Sequence, residues 1–279
     1  MKKLVALLAV AAIAASATIA FAGMGAATGV NGSFHDMNFY APTKGGQPEK
    51  YERVCVYCHT PHNAVVNDPN DPLGVNFLPL WNHDFSPLTY TAYNWATPDN
   101  TPFVITDPLI GPSRLCMSCH DGATAVDQHG PAMATAGTAG ALVGLRAVGR
   151  SGDLTDDHPI GFDYVQARQG RNLAADAIAP GSAAVEEIVN ESEAFATAIT
   201  VSAAGAQGFA NYNDVTRNGS RTIKSTLYNG SIMTCASCHE VHNKENMTQA
   251  VATDGSATPN YFLYSKQQFS LICLSCHVK

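Results

Sequence analysis

The sequence has few aromatic residues and no basic surface signal, and both shortages limit what it can be. Aromatic residues make up only 8% of the 279 positions. Lys and Arg number 16 against 23 Asp and Glu, with no basic cluster, which argues against binding to nucleic acid. Glycine and proline are frequent, with 23 and 15 copies. We therefore expect a loop-rich chain with a thin conventional core.

Long apolar runs are absent after the first residues, which have the pattern of a secretory signal. Two lysines precede an apolar stretch that ends near Ala15, and Ala20-Phe-Ala22 is a small-x-small cleavage site. We expect removal of residues 1–22 and a mature chain of 23–279 without a membrane span. An uncleaved anchor is the alternative, but the stretch is short for one. The predicted location is secreted, at the extracellular surface or in the periplasm.

No cysteine is left over for a disulfide, a zinc site or a nucleophile, because all eight belong to four copies of Cys-x-x-Cys-His. This spacing is typical of covalent attachment of c-type haem. Residues i, i+3 and i+4 of a helical turn share a face, so two thiols and a proximal histidine meet there. A redox pair or a zinc knuckle needs no histidine after every second cysteine. The predicted haem-binding residues are Cys55, Cys58 and His59; Cys116, Cys119 and His120; Cys235, Cys238 and His239; and Cys273, Cys276 and His277.

Six further histidines are candidates for the distal axial position of the four haems. Two of them, His62 and His242, each follow a proximal histidine by three residues and so point from nearly the same helical face. They would bind a neighbouring haem rather than their own. A third, His158, precedes a proline and projects from extended backbone. The others are His35, His83 and His129, and methionine ligands remain an alternative at Met117, Met133, Met233 and Met247.

The motifs alternate between two types, which indicates a duplicated two-haem unit. The first and third continue as Cys-x-x-Cys-His-x-x-His-Asn, whereas the second and fourth do not. We expect the two units at about 33–130 and 221–279, separated by an insertion at about 131–220. Apolar residues at helical spacing in 183–199 predict a helix there, capped by Ser182. Residues 103–106 predict a short strand.

The predicted fold class is mostly irregular and loop-rich with short α-helices, a multihaem cytochrome c fold organised by four covalently bound haems. A haem with two histidine ligands has no open iron position and can only pass electrons. The sequence therefore predicts an electron carrier rather than an enzyme. A multihaem reductase, the alternative, would need one five-coordinate haem.

Several patches of sequence resemble bacterial multihaem cytochromes with doubled Cys-x-x-Cys-His motifs. They are Ser-x-His-Asp at 33–36, Cys-x-x-Cys-His-Thr-Pro-His-Asn at 55–63, Pro-Leu-Trp-Asn at 79–82, Ser-Arg-Leu-Cys-x-Ser-Cys-His-Asp-Gly at 113–122, Asp-His-Pro-Ile at 157–160 and Cys-x-x-Cys-His-x-x-His at 235–242. With four haems and a signal peptide, the chain is most similar to the tetrahaem outer-surface cytochromes that polymerise into conductive filaments, the OmcE type.

This resemblance implies closely packed bis-histidine haems in a filament for extracellular electron transfer. It implies His35, His62, His158 and His242 as distal ligands, one of them lent by a neighbouring subunit. We expect the lent ligand to be His35, because a flexible arm can cross an interface. The expected partners are copies of the same chain and other cytochromes or redox proteins. A soluble periplasmic shuttle remains the alternative.

Overall fold

The computed structural model describes residues 29–68, 71, 77–96, 102–130, 139–201, 207–211, 222–242, 261–265 and 270–278. Of residues 102, 196–201 and 207–211 the backbone alone is described. The predicted signal peptide, 1–22, lies outside these ranges, as do Met133 and Met247. Among the described residues, no helix is long and apolar enough to cross a membrane.

The chain is loop-rich, with short helices and little sheet, as the composition predicts. Five α-helices are found in the described ranges: α1 Met37–Tyr40, α2 Pro112–His120, α3 Tyr164–Arg171, α4 Ile223–Thr226 and α5 Leu271–Leu274. Single 3-10 turns lie at Ala41–Lys44, Val54–Tyr57, Gly144–Arg146, Arg150–Gly152 and Cys235–Ser237. Two antiparallel ribbons pair β1 Trp95–Ala96 with β2 Pro102–Phe103, and β3 Ala196–Val201 with β4 Gln207–Asn211.

The largest hydrophobic core joins the expected insertion to the second half of the chain. Phe162, Tyr164 and Ile188 from residues 131–220 pack in one cluster with Ile223 and Met233. Burial of these side chains stabilises the contact between the two parts. In the described ranges, residues 131–220 therefore share a core with the second half of the chain.

The predicted helix over 183–199 is wrong. Residues 183–195 are irregular, and β3 begins at residue 196. The side chain of Asn172 takes up the backbone groups that a helix would use: its Oδ1 accepts from the N–H groups of Glu187 and Ile188, and its Nδ2 donates to the Ile188 carbonyl. The predicted strand at 103–106 is shorter than expected, because β2 ends at Phe103.

Candidate functional site

Each Cys-x-x-Cys-His motif forms one helical turn, so its two thiols and its histidine share a side. In the second motif the turn is the end of α2, whose last residue is His120. In the other three motifs the histidine N–H donates to the carbonyl of the first cysteine. These bonds are His59 to Cys55 at 2.8 Å, His239 to Cys235 at 3.1 Å and His277 to Cys273 at 2.9 Å.

Backbone carbonyls orient three of the four proximal imidazoles. The Nδ1–H of each ring donates to a carbonyl oxygen from a distant part of the chain. A histidine that donates through Nδ1 presents an unprotonated Nε2, the form that binds metal. The bonds are His59 to Pro79 at 2.7 Å, His120 to Arg146 at 2.7 Å and His239 to Tyr261 at 2.8 Å.

The first and third motifs share one backbone scaffold. In both, a segment about twenty residues later folds back antiparallel to the proximal histidine and turns through a non-glycine residue with positive φ. Antiparallel bridges join His59 to Trp81 and His239 to Leu263. The N–H of Asn82 donates to the Cys58 carbonyl and the N–H of Tyr264 to the Cys238 carbonyl, both at 3.0 Å. The turn residues Leu80 and Phe262 have φ angles of 56° and 61°. This correspondence agrees with the duplication read from the sequence.

Three of the six spare histidines lie opposite a proximal histidine. The ring centroids are 6.1 Å apart for His242 and His59, 6.1 Å for His35 and His120, and 6.3 Å for His158 and His277. Two imidazoles that bind one metal from opposite sides have ring centres about 6 Å apart, because each metal–nitrogen bond spans about 2 Å and each nitrogen lies about 1 Å from its ring centre. Axial coordination leaves rotation about the bond free, so the different interplanar angles of 24°, 56° and 71° are all compatible. The donor set and its spacing suit an iron atom held between two imidazoles.

His35 lies in the most crowded of these surroundings. Its ring packs against Phe262, with centroids 4.8 Å apart, and its Nδ1 is buried without a hydrogen-bond partner. Burial, together with the nearby imidazoles of His120, His239 and His242, lowers the pKa of His35 to about 4. The structure thus packs His35 against its own chain, and the expectation that this residue crosses to a neighbour stays a prediction.

Within the part of the chain that the structure describes, the remaining candidates His83, His129 and His62 have no proximal histidine opposite them. His83 is fully buried, with Nδ1 2.9 Å from the Asp84 carbonyl oxygen and Nε2 3.3 Å from the Cys119 sulfur. His129 is half-buried, with Nδ1 2.8 Å from the carbonyl oxygen of Asp127. His62 is exposed.

The methionine alternative is not favoured where the structure describes it. Met117 and Met233 are 1% and 4% exposed and belong to hydrophobic clusters. In the described ranges, no group of three or more His, Cys, Asp and Glu side chains is arranged to hold a metal ion. A haem iron has four ligands from its porphyrin, so the protein supplies only two, fewer than such a group of three side chains.

Cysteine thiols of consecutive motifs lie close to one another. The Cys119 thiol contributes to the raised pKa of Cys58, the thiol of Cys116 bonds Cys235, and Cys276 contributes to the raised pKa of Cys238. Neighbouring motifs are therefore adjacent from the first to the fourth. Burial raises the pKa of the Cys58, Cys119 and Cys238 thiols to about 12.

Sequence reasoning missed the groups that orient the imidazoles. The carbonyls of Pro79, Arg146 and Tyr261 carry no side-chain signal, so no pattern in the sequence identified them. Comparison with known proteins found no family model that matches the chain and no curated protein that matches it.

Proposed function

We propose that this chain is an electron carrier that holds four c-type haems, and that it passes electrons rather than transforming a substrate. The observation that carries the proposal is the set of three facing histidine pairs, each of which joins one proximal histidine of a Cys-x-x-Cys-His motif to one spare histidine. Bound haem supplies a one-electron iron centre. The chain's own residues fix its position and its ligands.

The residues divide this work between them. The paired cysteines of each motif would anchor the group covalently, and in three motifs a backbone carbonyl holds the tautomer and ring orientation of the proximal imidazole. A facing histidine would be the second protein ligand of the iron, and an iron with both ligands would have no position open to substrate or water. Cys55 and Cys273 are exposed, whereas the other six cysteines are partly buried. The first and fourth motifs are therefore the ends through which a redox partner is best reached.

The same geometry supports the finer proposal of a filament. Among the described residues, His239 makes no ring contact with another imidazole, and the exposed His62 lacks one too. In the described ranges this leaves one proximal histidine, His239, and three spare histidines, of which His62 alone is exposed, whereas His83 and His129 are not. We propose that His239 and His62 meet between two copies of the chain. His62, rather than His35, is the ligand we propose to be lent.

The duplication predicts how two copies meet. Within one chain, the histidine three residues after the third motif reaches the proximal histidine of the first, as His242 faces His59. If a following copy repeats this contact, the histidine three residues after its first motif, His62, faces His239 of the preceding copy. The surfaces suit this contact, because Val66 and Leu80 near His62 are 88% and 55% exposed and Tyr261 beside His239 is 46% exposed. A contact between unlike surfaces propagates into a ring or a filament.

Two measurements test the proposal in turn. The first is intact mass and the pyridine haemochrome spectrum of the purified mature protein, in which we expect four covalently bound haems per chain. A chain without haem would refute the electron-carrier proposal.

The second measurement is negative-stain electron microscopy of wild type, His62→Ala and the matched control His129→Ala. We expect filaments from wild type and the control, and dispersed particles with four haems each from His62→Ala. Dispersed wild-type particles with four haems would instead favour the soluble shuttle.

A further inference from the structure

We propose that Arg146 is the positioning residue that holds the His35–His120 pair together. The inference rests on the proposed function, in which these two imidazoles face each other across the second haem. No motif singled out Arg146, which lies in the single 3-10 turn Gly144–Arg146. It is in contact with both sides of the pair.

On the His120 side, the contact is through the backbone of Arg146. Its carbonyl oxygen accepts the Nδ1–H of His120 at 2.7 Å. Two residues later, the N–H of Val148 donates to the carbonyl of His120, also at 2.7 Å. The segment therefore runs alongside the end of α2 and fixes both the ring and the backbone of this histidine.

On the His35 side, the contact is through the side chain of Arg146. Its guanidinium carbon lies 5.1 Å from the ring centre of Phe34 and 5.7 Å from that of Tyr40, within the range of a cation–π interaction. Its Nη1 also donates to the Tyr40 hydroxyl at 3.0 Å. Phe34 and Tyr40 meet edge to face at 6.0 Å. The guanidinium thus contacts Phe34, directly before His35, and Tyr40, in the helix α1 that follows it.

The N-terminal segment is held on the same surface by apolar packing. Tyr40 and Ala41 are buried in a cluster with Leu142, and Phe34 and Ala147 pack against it. This packing keeps the segment near residues 139–147 without specifying where His35 points. The Arg146 side chain orients His35, because it donates a hydrogen bond to Tyr40 and covers the ring of Phe34, the residue directly before His35.

Substitution of the side chain separates the two contacts, because the carbonyl stays in every variant. Arg146→Gln removes the positive charge and the planar guanidinium group, but it leaves the hydrogen bond from the His120 ring to the backbone carbonyl of residue 146. Arg146→Lys keeps a cation near Phe34 but loses the planar fork. Arg150→Gln, at an exposed arginine four residues later, is the matched control, and His35→Ala shows the signal of a fully opened second site.

The experiment is a carbon monoxide titration of the reduced, fully assembled proteins, with electron paramagnetic resonance of the oxidised forms. Loss of a group that orients a ligand lowers metal affinity about 10- to 100-fold. We therefore expect Arg146→Gln to bind carbon monoxide at one haem in four, at about tenfold lower concentration than wild type. The altered low-spin signal should be the one lost in His35→Ala, with partial rescue in Arg146→Lys.

A merely structural role gives a different result. If Arg146→Gln lowers the thermal midpoint but keeps wild-type carbon monoxide binding and spectra, the inference is wrong. It is equally wrong if the control Arg150→Gln gains carbon monoxide binding to the same extent as Arg146→Gln. Haem content distinguishes this failure from failure of the proposed function. Four haems with unchanged binding overturns the role of Arg146 alone, whereas absence of haem overturns both.

Discussion

His242 faces His59 with ring centroids 6.1 Å apart and ring planes 24° from parallel. One residue follows the third Cys-x-x-Cys-His motif and the other belongs to the first, so the contact joins the two halves of the chain. His242, three residues after the third motif, thus faces the proximal histidine of the other half rather than that of its own motif. The proposed head-to-tail contact between copies repeats this arrangement.

Removal of His242 should open the first site without unfolding the protein. The ring is exposed and its side chain contacts Glu240 at 3.4 Å, so little core packing is lost. We expect His242→Ala to retain four haems and to bind one carbon monoxide per chain when reduced, with His129→Ala as the unchanged control. Retention of wild-type binding by His242→Ala would contradict the assignment of His242 to the first haem.

Arg114 on α2 should be the most important ion-pairing residue for stability. It is 11% exposed and lies 3.0 Å from Asp68 and 2.7 Å from Asp107, two carboxylates that are nearly fully buried. Arg114→Met takes the positive charge away from two buried carboxylates, so we expect the free energy of unfolding to fall by about 3–5 kcal/mol. Urea unfolding of the haem-loaded protein measures this change.

The matched comparison for Arg114 is Arg171→Met. Arg171 pairs with Glu187, and both side chains are about 30% exposed. We expect a loss of about 1 kcal/mol or less from this change. Equal losses for the two variants would show that the buried network at α2 has no special weight.

Glu49 should make stability fall in acid. The Arg53 side chain, with backbone N–H groups of Arg53 and Tyr51, lowers the pKa of Glu49 from 4.5 to about 2. Between these values the unfolded chain takes up a proton that the folded chain does not, so the stabilisation present above pH 4.5 is lost as the pH falls toward 2. We expect Glu49→Gln to show a shallower decline in unfolding free energy over this range than wild type.

The control for Glu49 is Glu52→Gln, a change at an exposed neighbour. It should follow the wild-type pH curve. A Glu49→Gln curve parallel to wild type would mean that the carboxylate contributes nothing on acidification.

Gly152 should tolerate no side chain. Its φ is 83°, and an added Cβ would lie 2.0 Å from the Thr89 carbonyl oxygen, while its own carbonyl accepts from the N–H of Thr91. Gly144 also has positive φ, at 65°, but nothing lies within 4 Å of the added atom. Gly144→Ala should cost about 1–2 kcal/mol from the left-handed backbone alone, and Gly152→Ala should cost clearly more. Equal thermal midpoints for the two variants would contradict this difference.

The sequence was informative where chemistry sits within a few residues. The spacing of Cys55, Cys58 and His59 and its three repeats predicts single helical turns, which the structure contains. The loop-rich character also follows from composition. The set of distal candidates depended on a resemblance as well as on spacing. In the structure, His35, His158 and His242 each lie opposite the ring of a proximal histidine.

The sequence was uninformative where distant segments meet. Nothing local to His35 tells whether it faces His120 or a second copy, because Arg146 and Phe262 determine its place. The apolar spacing in 183–199 predicted a helix, but Asn172 takes the backbone groups of Glu187 and Ile188. Tertiary hydrogen bonds overrode a periodic pattern that was only a weak preference.

The most direct test of the account is the number of carbon monoxide molecules bound per chain by reduced wild-type filaments and by His62→Ala, with haem content measured on the same samples. The account predicts four haems in both, no prompt binding in filaments, and one carbon monoxide per chain in His62→Ala that free imidazole displaces. His62→Ala with four haems and no binding would contradict the lent ligand. Prompt binding at one haem or more in wild-type filaments would contradict the closed, electron-carrying assignment and favour a reductase.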